Sequence, residues 1–429
     1  MQRKLHRGTI WIVVLTFVLH AGCAPRFAVP PAEDLRAGFG RVGLVMAGFD
    51  PDVQILTPAK GAREGVGRGA GWGAARVGRE FAQGCGTGDP YAGLVCYLLM
   101  VPAMVVGAAV GGVVGGAKAQ PEEVIIAAEA EIQKAIADLG ITDRFRDELL
   151  KTAQEEANAT LVPVVGAGPV TPEQKLEYRE CRSQHVDTVL EVSVLSFGLQ
   201  DGKLEVNPAL GLFFTVRGRL VRVADGEELH ETTVSYRTPR GTFAQWAEND
   251  ASRLSAAMED AYDVLSREIV EEIFLVHQLR QPDEGPFVRR QGLRPEHPPS
   301  GIEIETLRPT LRWEAFPRPI DLEEGRQEPL EGVGEVIYEI KVWREDNGEP
   351  GEVVYERKGL PASSHTLEVS LEPATGYFWS ARAWFTYRGK RRVTAWGSYL
   401  AAKLPVKIVP SRYLYRFKTP PDASLSQPN

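Results

Sequence analysis

The stretch HVDTVLEVSVLSFGL, residues 185–199, precedes LFFTVRGRLVRV, residues 212–223, and the prediction of the fold starts from these two segments. Both are rich in β-branched and aromatic residues and are bounded by turn-forming residues, which predicts two neighbouring β-strands. Asp225-Gly226 then leads into a third strand, Leu229–Tyr236, and Asp-Gly is a favoured turn between hairpin strands. The sequence therefore predicts a meander of three strands.

Helix signals flank this meander. Pro121-Glu122-Glu123 and Thr142 begin two helices, and Thr242-Phe243-Ala244-Gln245 begins a long one with a capping box. Thr171-Pro172-Glu173-Gln174 also carries start signals, with Pro at the first helical position. Helices packed on one side of a small sheet make residues 119–280 an α+β domain.

The amino terminus has the pattern of an export signal. Residues 1–22 combine Arg3, Lys4 and Arg7 with an uncharged apolar run that ends in small residues. Leu19-His20-Ala21-Gly22-Cys23 resembles a bacterial lipobox, and the alternative is an ordinary signal peptide with an incidental cysteine.

The lipobox resemblance implies cleavage before Cys23, diacylglycerol on its thiol and a fatty acyl chain such as palmitate on its new amine. Because Ala24 rather than Asp follows, it also implies the outer membrane, with the protein facing the periplasm. Residues 23–60 would form the lipidated amino terminus and a first strand near Arg41–Met46.

Glycines recur every four residues within 61–118, a spacing that places them on one face of a helix. Leu94–Ala117 carries no charge and, if fully helical, has the length of a membrane span. Two segments with glycines on one face, joined by a turn, resemble the glycine-zipper helical hairpins of small outer-membrane lipoproteins. The alternative is a flexible glycine-rich linker followed by a buried apolar helix.

Cysteines are few, and their spacing offers no metal or thioredoxin motif. Cys85 and Cys96 bracket a loop-like stretch, and an exported chain would permit a disulfide between them, which leaves Cys181 unpaired. The alternative is two buried thiols. The sequence predicts no metal site, no cofactor site and no catalytic residues.

The carboxyl-terminal half changes to short alternating strands after a Pro-rich linker at 281–301. Trp313 lies in an early strand, and Leu371-Glu372-Pro373-Ala374-Thr375-Gly376-Tyr377 matches an L-x-P-x-T-x-Y run. These features resemble a fibronectin type III domain over residues 302–405, which implies a β-sandwich with Tyr377 as its corner tyrosine. Residues 406–429 would be a tail.

A cationic loop is expected at the tip of the hairpin between the last two strands of this sandwich. Its cations are Arg388, Lys390, Arg391 and Arg392. Such a loop suits an acidic partner or phospholipid headgroups, and the alternative is a merely soluble turn in an acidic protein.

The overall charge of −8 argues against a strongly basic nucleic-acid binder. The fold class expected is multidomain, α+β and all-β. We interpret the chain as a non-enzymatic outer-membrane lipoprotein that binds envelope proteins or polymer as a scaffold or assembly accessory. An oligomeric membrane pore or secretion component built on the glycine zippers is the alternative, and an envelope enzyme is a third.

Overall fold

A computed structural model describes residues 30–84, 90–200, 206–280, 288–323, 330–346, 348–401 and 414–421. The chain divides into two compact units. We call Glu33–Leu275 the amino-terminal unit and the chain from Val276 onward the carboxyl-terminal unit. The prediction of a multidomain chain that mixes α and β structure is confirmed.

The amino-terminal unit combines helices with one six-stranded sheet. Its elements are α1 (Glu33–Ala37), β1 (Val42–Met46), β2 (Asp52–Ile55), α2 (Gly61–Gly84), α3 (Pro90–Lys118), α4 (Glu122–Asp138), α5 (Ile141–Ala157), β3 (Leu161–Pro163), a 3₁₀ turn (Arg179–Gln184), β4 (Thr188–Gln200), β5 (Gly211–Arg222), β6 (Glu228–Arg237) and α6 (Phe243–Val270), which ends in a π turn (Glu271–Leu275).

The sheet is built around β4. The predicted meander is its antiparallel part, in which β5 pairs with both β4 and β6. On its other edge β4 pairs in parallel with β1 and then with β2, and β3 pairs with β1. Strands from the 23–60 segment therefore belong to the same sheet as the meander.

Both faces of β4 are covered, which explains why its residues are almost continuously buried. On one side Leu190 and Val192 lie in a core with the apolar faces of α4, α5 and α6. On the other side Val189 packs with Tyr178 and Cys181, which come from the segment between β3 and β4.

The prediction of a helix that begins near Thr171 is wrong. The chain runs through turns and irregular backbone until the 3₁₀ turn begins at Arg179. Tertiary contacts hold it in this form, since the Leu176 carbonyl accepts a hydrogen bond from Arg219 and the buried Tyr178 hydroxyl donates to Glu191.

Helix α6 begins as predicted. The Thr242 hydroxyl accepts from the Gln245 amide, and the Gln245 side chain accepts from the Thr242 amide. The helix is long, as predicted, but it has a kink where the backbone leaves helical geometry at Glu248 and is left-handed from Asn249 to Ala251. The first turn is tied down separately, since the Trp246 indole donates to the Leu210 carbonyl at 2.8 Å.

The carboxyl-terminal unit is mostly strands. They are β7 (Val276–His277), β8 (Val288–Gln291), β9 (Pro295–His297), β10 (Ile302–Glu303), β11 (Thr310–Trp313), β12 (Val336–Asp346), β13 (Glu349–Leu360), β14 (Ser364–Thr366), β15 (Gly376–Tyr387), β16 (Lys390–Thr394), β17 (Ser398–Ala401) and β18 (Tyr415–Lys418), with a short helix α7 (Pro319–Leu322) after β11. Strands β8 and β9 lie within the segment expected to be a linker, and β18 lies within the expected tail.

These strands form a seven-stranded sheet, a three-stranded sheet and a two-stranded pair. The long strand β15 organises the largest sheet, pairing with β12 along one edge and with β18 and then β16 along the other. Trp313 of the three-stranded sheet is buried against Tyr338 of the larger one, with ring centroids 5.6 Å apart. The core of this unit therefore lies between the two sheets.

Tyr377 is the second residue of β15 and is almost completely buried. Its hydroxyl oxygen accepts a hydrogen bond from the backbone amide of Glu372, five residues upstream, at 2.9 Å. This contact fixes the loop that leads into β15.

Candidate partner-binding surfaces

The hairpin between β15 and β16 carries the four cations singled out in the sequence. Tyr387 pairs with Lys390, so Arg388 and Gly389 alone form the turn. Both have positive φ, 51° and 72°, which is the geometry of a type I′ turn and matches the right-handed twist of the strands. The tight turn places Arg388, Lys390 and Arg391 at the exposed end of the sheet.

The four cations are not equivalent. The Arg391 guanidinium stacks on the Trp384 ring at 4.1 Å from its centroid, and Arg388 stacks on Tyr387 at 5.1 Å. Arg392 is instead buried, at 4% exposure, and donates to the Arg391 carbonyl. Arg392 lies opposite Phe385 on the core face of the sheet, whereas Arg391 lies opposite Thr386 on the other face.

Behind the tip, cations and indole rings alternate in what we call the cation–aromatic stack, formed by Lys341, Trp396, Arg382, Trp384 and Arg391. Arg382 lies between two rings, 4.4 Å from Trp396 and 5.0 Å from Trp384. Stacking holds each long cationic side chain in one orientation at a small entropic cost.

A buried carboxylate forms hydrogen bonds with two members of this stack. Glu339 is fully buried and accepts hydrogen bonds from Arg382 at 2.7 Å and from the Trp384 indole at 2.8 Å. Burial opposes its ionisation, but Arg382 and the two hydrogen bonds hold the pKa of Glu339 below its usual value. Glu339 is therefore a positioning residue for Arg382 and Trp384.

The sequence predicted the cationic tip of the β15–β16 hairpin but not the cation–aromatic stack behind it. Arg382 and Trp384 stand two residues apart in a strand whose intervening residue, Ala383, is a core position, so alternation could have placed both on the opposite face. Trp396 has no comparable signal, because it follows β16 and its approach to Arg382 depends on tertiary packing.

The second candidate surface is the helix pair α2 and α3. These helices lie against each other at contacts between small residues. A β-carbon at Gly65 would lie 2.5 Å from the Gly115 carbonyl oxygen, and one at Gly112 would lie 3.4 Å from that of Val66. Only glycine permits an approach as close as that between Gly65 and Gly115.

The start of α2 and the segment after α3 contact each other and helix α4. The Gly61 amide donates to the Gln120 carbonyl, and Lys60 forms an ion pair with Glu129 of α4 at 2.7 Å. In the part of the chain that the structure describes, no helix combines the length and the apolar character needed to cross a membrane.

The outer face of α3 is apolar and exposed. Its members, which we call the valine face, are Val106, Val110, Val113 and Val114, with exposed fractions of 62, 60, 74 and 40%. Large exposed aliphatic patches of this kind mark interaction surfaces.

Of the predicted cysteine sites, Cys23 and Cys85 lie outside the described residues. Cys96 lies in α3, but its side chain is not among those described. Cys181 is buried with a free thiol, and burial raises its pKa. Within the described residues, no group of three His, Cys, Asp or Glu side chains is placed to hold a metal ion.

Comparison with known proteins gives only short structural matches. No protein-family model matches the chain, and no curated protein sequence does. Among the solved structures that are similar to part of this chain are three examples. They are the PelC dodecamer from Paraburkholderia phytofirmans (14% identity, 31% of this chain and 75% of that one, TM-score 0.20), the hypothetical protein CT253 from Chlamydia trachomatis (13%, 30% and 80%, 0.22) and the lipoprotein GNA1162 from Neisseria meningitidis (18%, 26% and 82%, 0.18). At these TM-scores the similarity identifies neither a family nor a function.

Proposed function

We propose that this protein is a non-enzymatic bacterial lipoprotein, anchored in the outer membrane through Cys23, whose two units face the periplasm as an envelope scaffold or assembly accessory. The observation that carries the proposal is Leu19-His20-Ala21-Gly22-Cys23 at the end of a signal-like segment. Two or three acyl chains on one residue anchor a protein stably, whereas a single chain does not.

The proposal includes the nature of the two candidate surfaces. We infer that α2 and α3 are a glycine-zipper hairpin, which the close approach of Gly65 and Gly115 supports. The carboxyl-terminal unit is a fibronectin type III-like sandwich, which the hydrogen bond between Tyr377 and the Glu372 amide supports as a tyrosine corner.

The β15–β16 tip is the proposed contact for an acidic envelope protein or polymer. Arg391 is exposed and is held over Trp384, so its guanidinium is oriented before a partner arrives. Such preorganisation lowers the entropic cost of binding a carboxylate or phosphate.

Lipid labelling tests the anchor. Cells producing the native chain are grown with an alkyne analogue of palmitate, and the chain is examined for the label after purification. We expect the wild-type protein and a Cys181→Ala control to be labelled and Cys23→Ser to be unlabelled. An unlabelled wild type, or label that persists in Cys23→Ser, would overturn the proposed anchor.

A second candidate function is an oligomeric pore or secretion component built from several hairpins. The exposed valine face favours it, as do Gly67 and Gly71 of α2, where a β-carbon would meet nothing within 4 Å. Chemical crosslinking in detergent followed by denaturing electrophoresis tests it: a ladder of discrete oligomers would support it, and a strict monomer would exclude it.

A further inference from the structure

The exposed valines of α3 follow the spacing of one helical face. The four valines, Val106, Val110, Val113 and Val114, stand at positions i, i+4, i+7 and i+8, and the nearby Ala109 and Ala117 are also exposed. The glycines that contact α2 lie on a different face of the same helix. The valine face therefore points away from α2.

The two helices differ sharply in charge. Helix α3 has no charged residue between Pro90 and Ala117, and its only charge is the terminal Lys118. Helix α2 contains four arginines and two glutamates, and Arg63, Arg68 and Arg76 are exposed. The four arginines outnumber the two glutamates, so the net side-chain charge of α2 is positive even though Glu64 pairs with Arg68 at 2.6 Å.

We propose that the helix pair is a membrane-interface element, whose valine face enters the acyl region of an anionic bilayer from one side. An amphipathic element with a cationic polar part and an apolar face binds in this way, gaining both buried apolar area and attraction to acidic lipid. Its cationic helix and its apolar helix both find complementary surroundings at such a boundary.

The packing between the helices makes this amphipathicity rigid. The close approach of Gly65 to Gly115 fixes α2 along one side of α3. The arginines and the valine face therefore keep a constant relation to each other, and the surface is formed before it meets lipid. A contact between two copies through the valine face alone would bring no negative charge to the arginines of α2.

This inference deepens the proposed function, since the acyl chains on Cys23 would bring the valine face to the leaflet. It is tested without them. The full mature chain is exported with a cleavable, non-lipidating signal and Cys23→Ser, purified, and floated with vesicles of phosphatidylethanolamine and phosphatidylglycerol or of phosphatidylcholine alone. Failure of lipid labelling at Cys23 would thus leave this test unaffected.

The decisive variant is Val110→Asp/Val113→Asp. Its matched control is Val124→Asp/Ile126→Asp, which changes two exposed aliphatic residues of α4 with exposed fractions of 44 and 49%. We expect the unmodified chain and the control to float with anionic vesicles and the decisive variant to partition at least about tenfold less, because each buried valine contributes roughly a factor of ten. Val110→Ser/Val113→Ser should lose less, in the same direction.

Three outcomes would overturn the proposal. One is a protein that does not float with anionic vesicles, and another is an equal loss in the variant and the control. The third is an oligomer in solution, measured by light scattering, that Val110→Asp/Val113→Asp dissociates, because the valine face would then bind a second copy. Far-UV circular dichroism of each variant identifies any loss that results from unfolding.

Discussion

At the scale of single residues, Glu191 shows how the amino-terminal unit accommodates a buried charge. This carboxylate lies in the central strand β4 with no exposed surface. It accepts a hydrogen bond from the Tyr178 hydroxyl at 2.6 Å and pairs with Arg219 at 2.7 Å. Burial, followed by the bond to Glu191, raises the pKa of Tyr178, so the hydroxyl remains a donor.

Replacing Arg219 by Met should destabilise the unit strongly. The change leaves Glu191 buried without its main counter-ion, which costs about 3 kcal/mol or more of unfolding free energy. Chemical denaturation measures it, with Arg222→Met of the same strand as a control, because the partners of Arg222 are exposed and its loss should be much smaller. A double variant with Glu191→Gln should lose less than Arg219→Met alone, and an equal loss in all three variants would contradict this account.

His365 should make the carboxyl-terminal unit sensitive to mild acid. Its Nε2 lies 2.6 Å from the Tyr355 hydroxyl, and burial lowers the pKa of His365. The unfolded chain, with a histidine pKa of about 6.5, therefore binds more protons than the folded one, and stability falls as the pH drops below that value. Denaturation at pH 7 and pH 5 should show a smaller difference for His365→Gln than for the wild type, and equal differences would refute the assignment.

Among the secondary-structure elements, helices α2 and α3 contain many more glycines than intrinsic helix propensity favours. Each helical glycine costs about 1 kcal/mol relative to alanine in water. Part of that cost is offset where the backbones approach, as at Gly65 and Gly115, but Gly67 and Gly71 have open space beside them. The pair therefore contains both required and replaceable glycines.

Gly115→Ala and Gly71→Ala should have opposite effects. A β-carbon at Gly115 would overlap the Gly65 carbonyl oxygen, so the helices must separate, at a cost of about 1–3 kcal/mol. At Gly71 alanine meets nothing and should stabilise helix α2 by up to about 1 kcal/mol. Thermal unfolding followed at 222 nm measures both, and a loss of equal size at the two positions would exclude backbone packing as the reason for Gly115.

At the level of the whole molecule, each of the two units has a large core of its own. The amino-terminal unit buries the apolar faces of its helices against the six-stranded sheet, and the carboxyl-terminal unit buries its aromatic residues between its own sheets. Each has the size of an ordinary domain.

A chain limited to Glu33–Leu275 should therefore fold by itself. Because it keeps the six-stranded sheet and the helices that cover it, we expect a helix-rich circular dichroism spectrum and a single cooperative urea transition. A shorter chain that starts at Glu122 lacks β1 and β2, which leaves one edge of β4 unpaired, and should not unfold cooperatively. A non-cooperative transition for Glu33–Leu275 would show that its stability depends on the rest of the chain.

Elements whose signals are local could be predicted from the amino-acid sequence alone. The three-strand meander, the capping box at Thr242 and the turn before β16 depend on residue type and near neighbours, so each could be predicted. The glycine spacing likewise predicted helices with small-residue faces. The proposed lipidation of Cys23, on which the proposed function rests, is inferred from a processing pattern near the amino terminus and not from the fold.

Contacts between residues far apart in the chain became evident only in the folded protein. Tertiary structure added the parallel strands β1 to β3 to the meander, replaced the helix predicted at Thr171 by an irregular cover over Glu191, and interrupted α6 at Asn249. It also brought Trp396 to Arg382 and turned the valine face of α3 outward. The physical reason is that burial and pairing partners outweigh local propensities of about 1 kcal/mol or less per residue, and those partners are known only once the chain has folded.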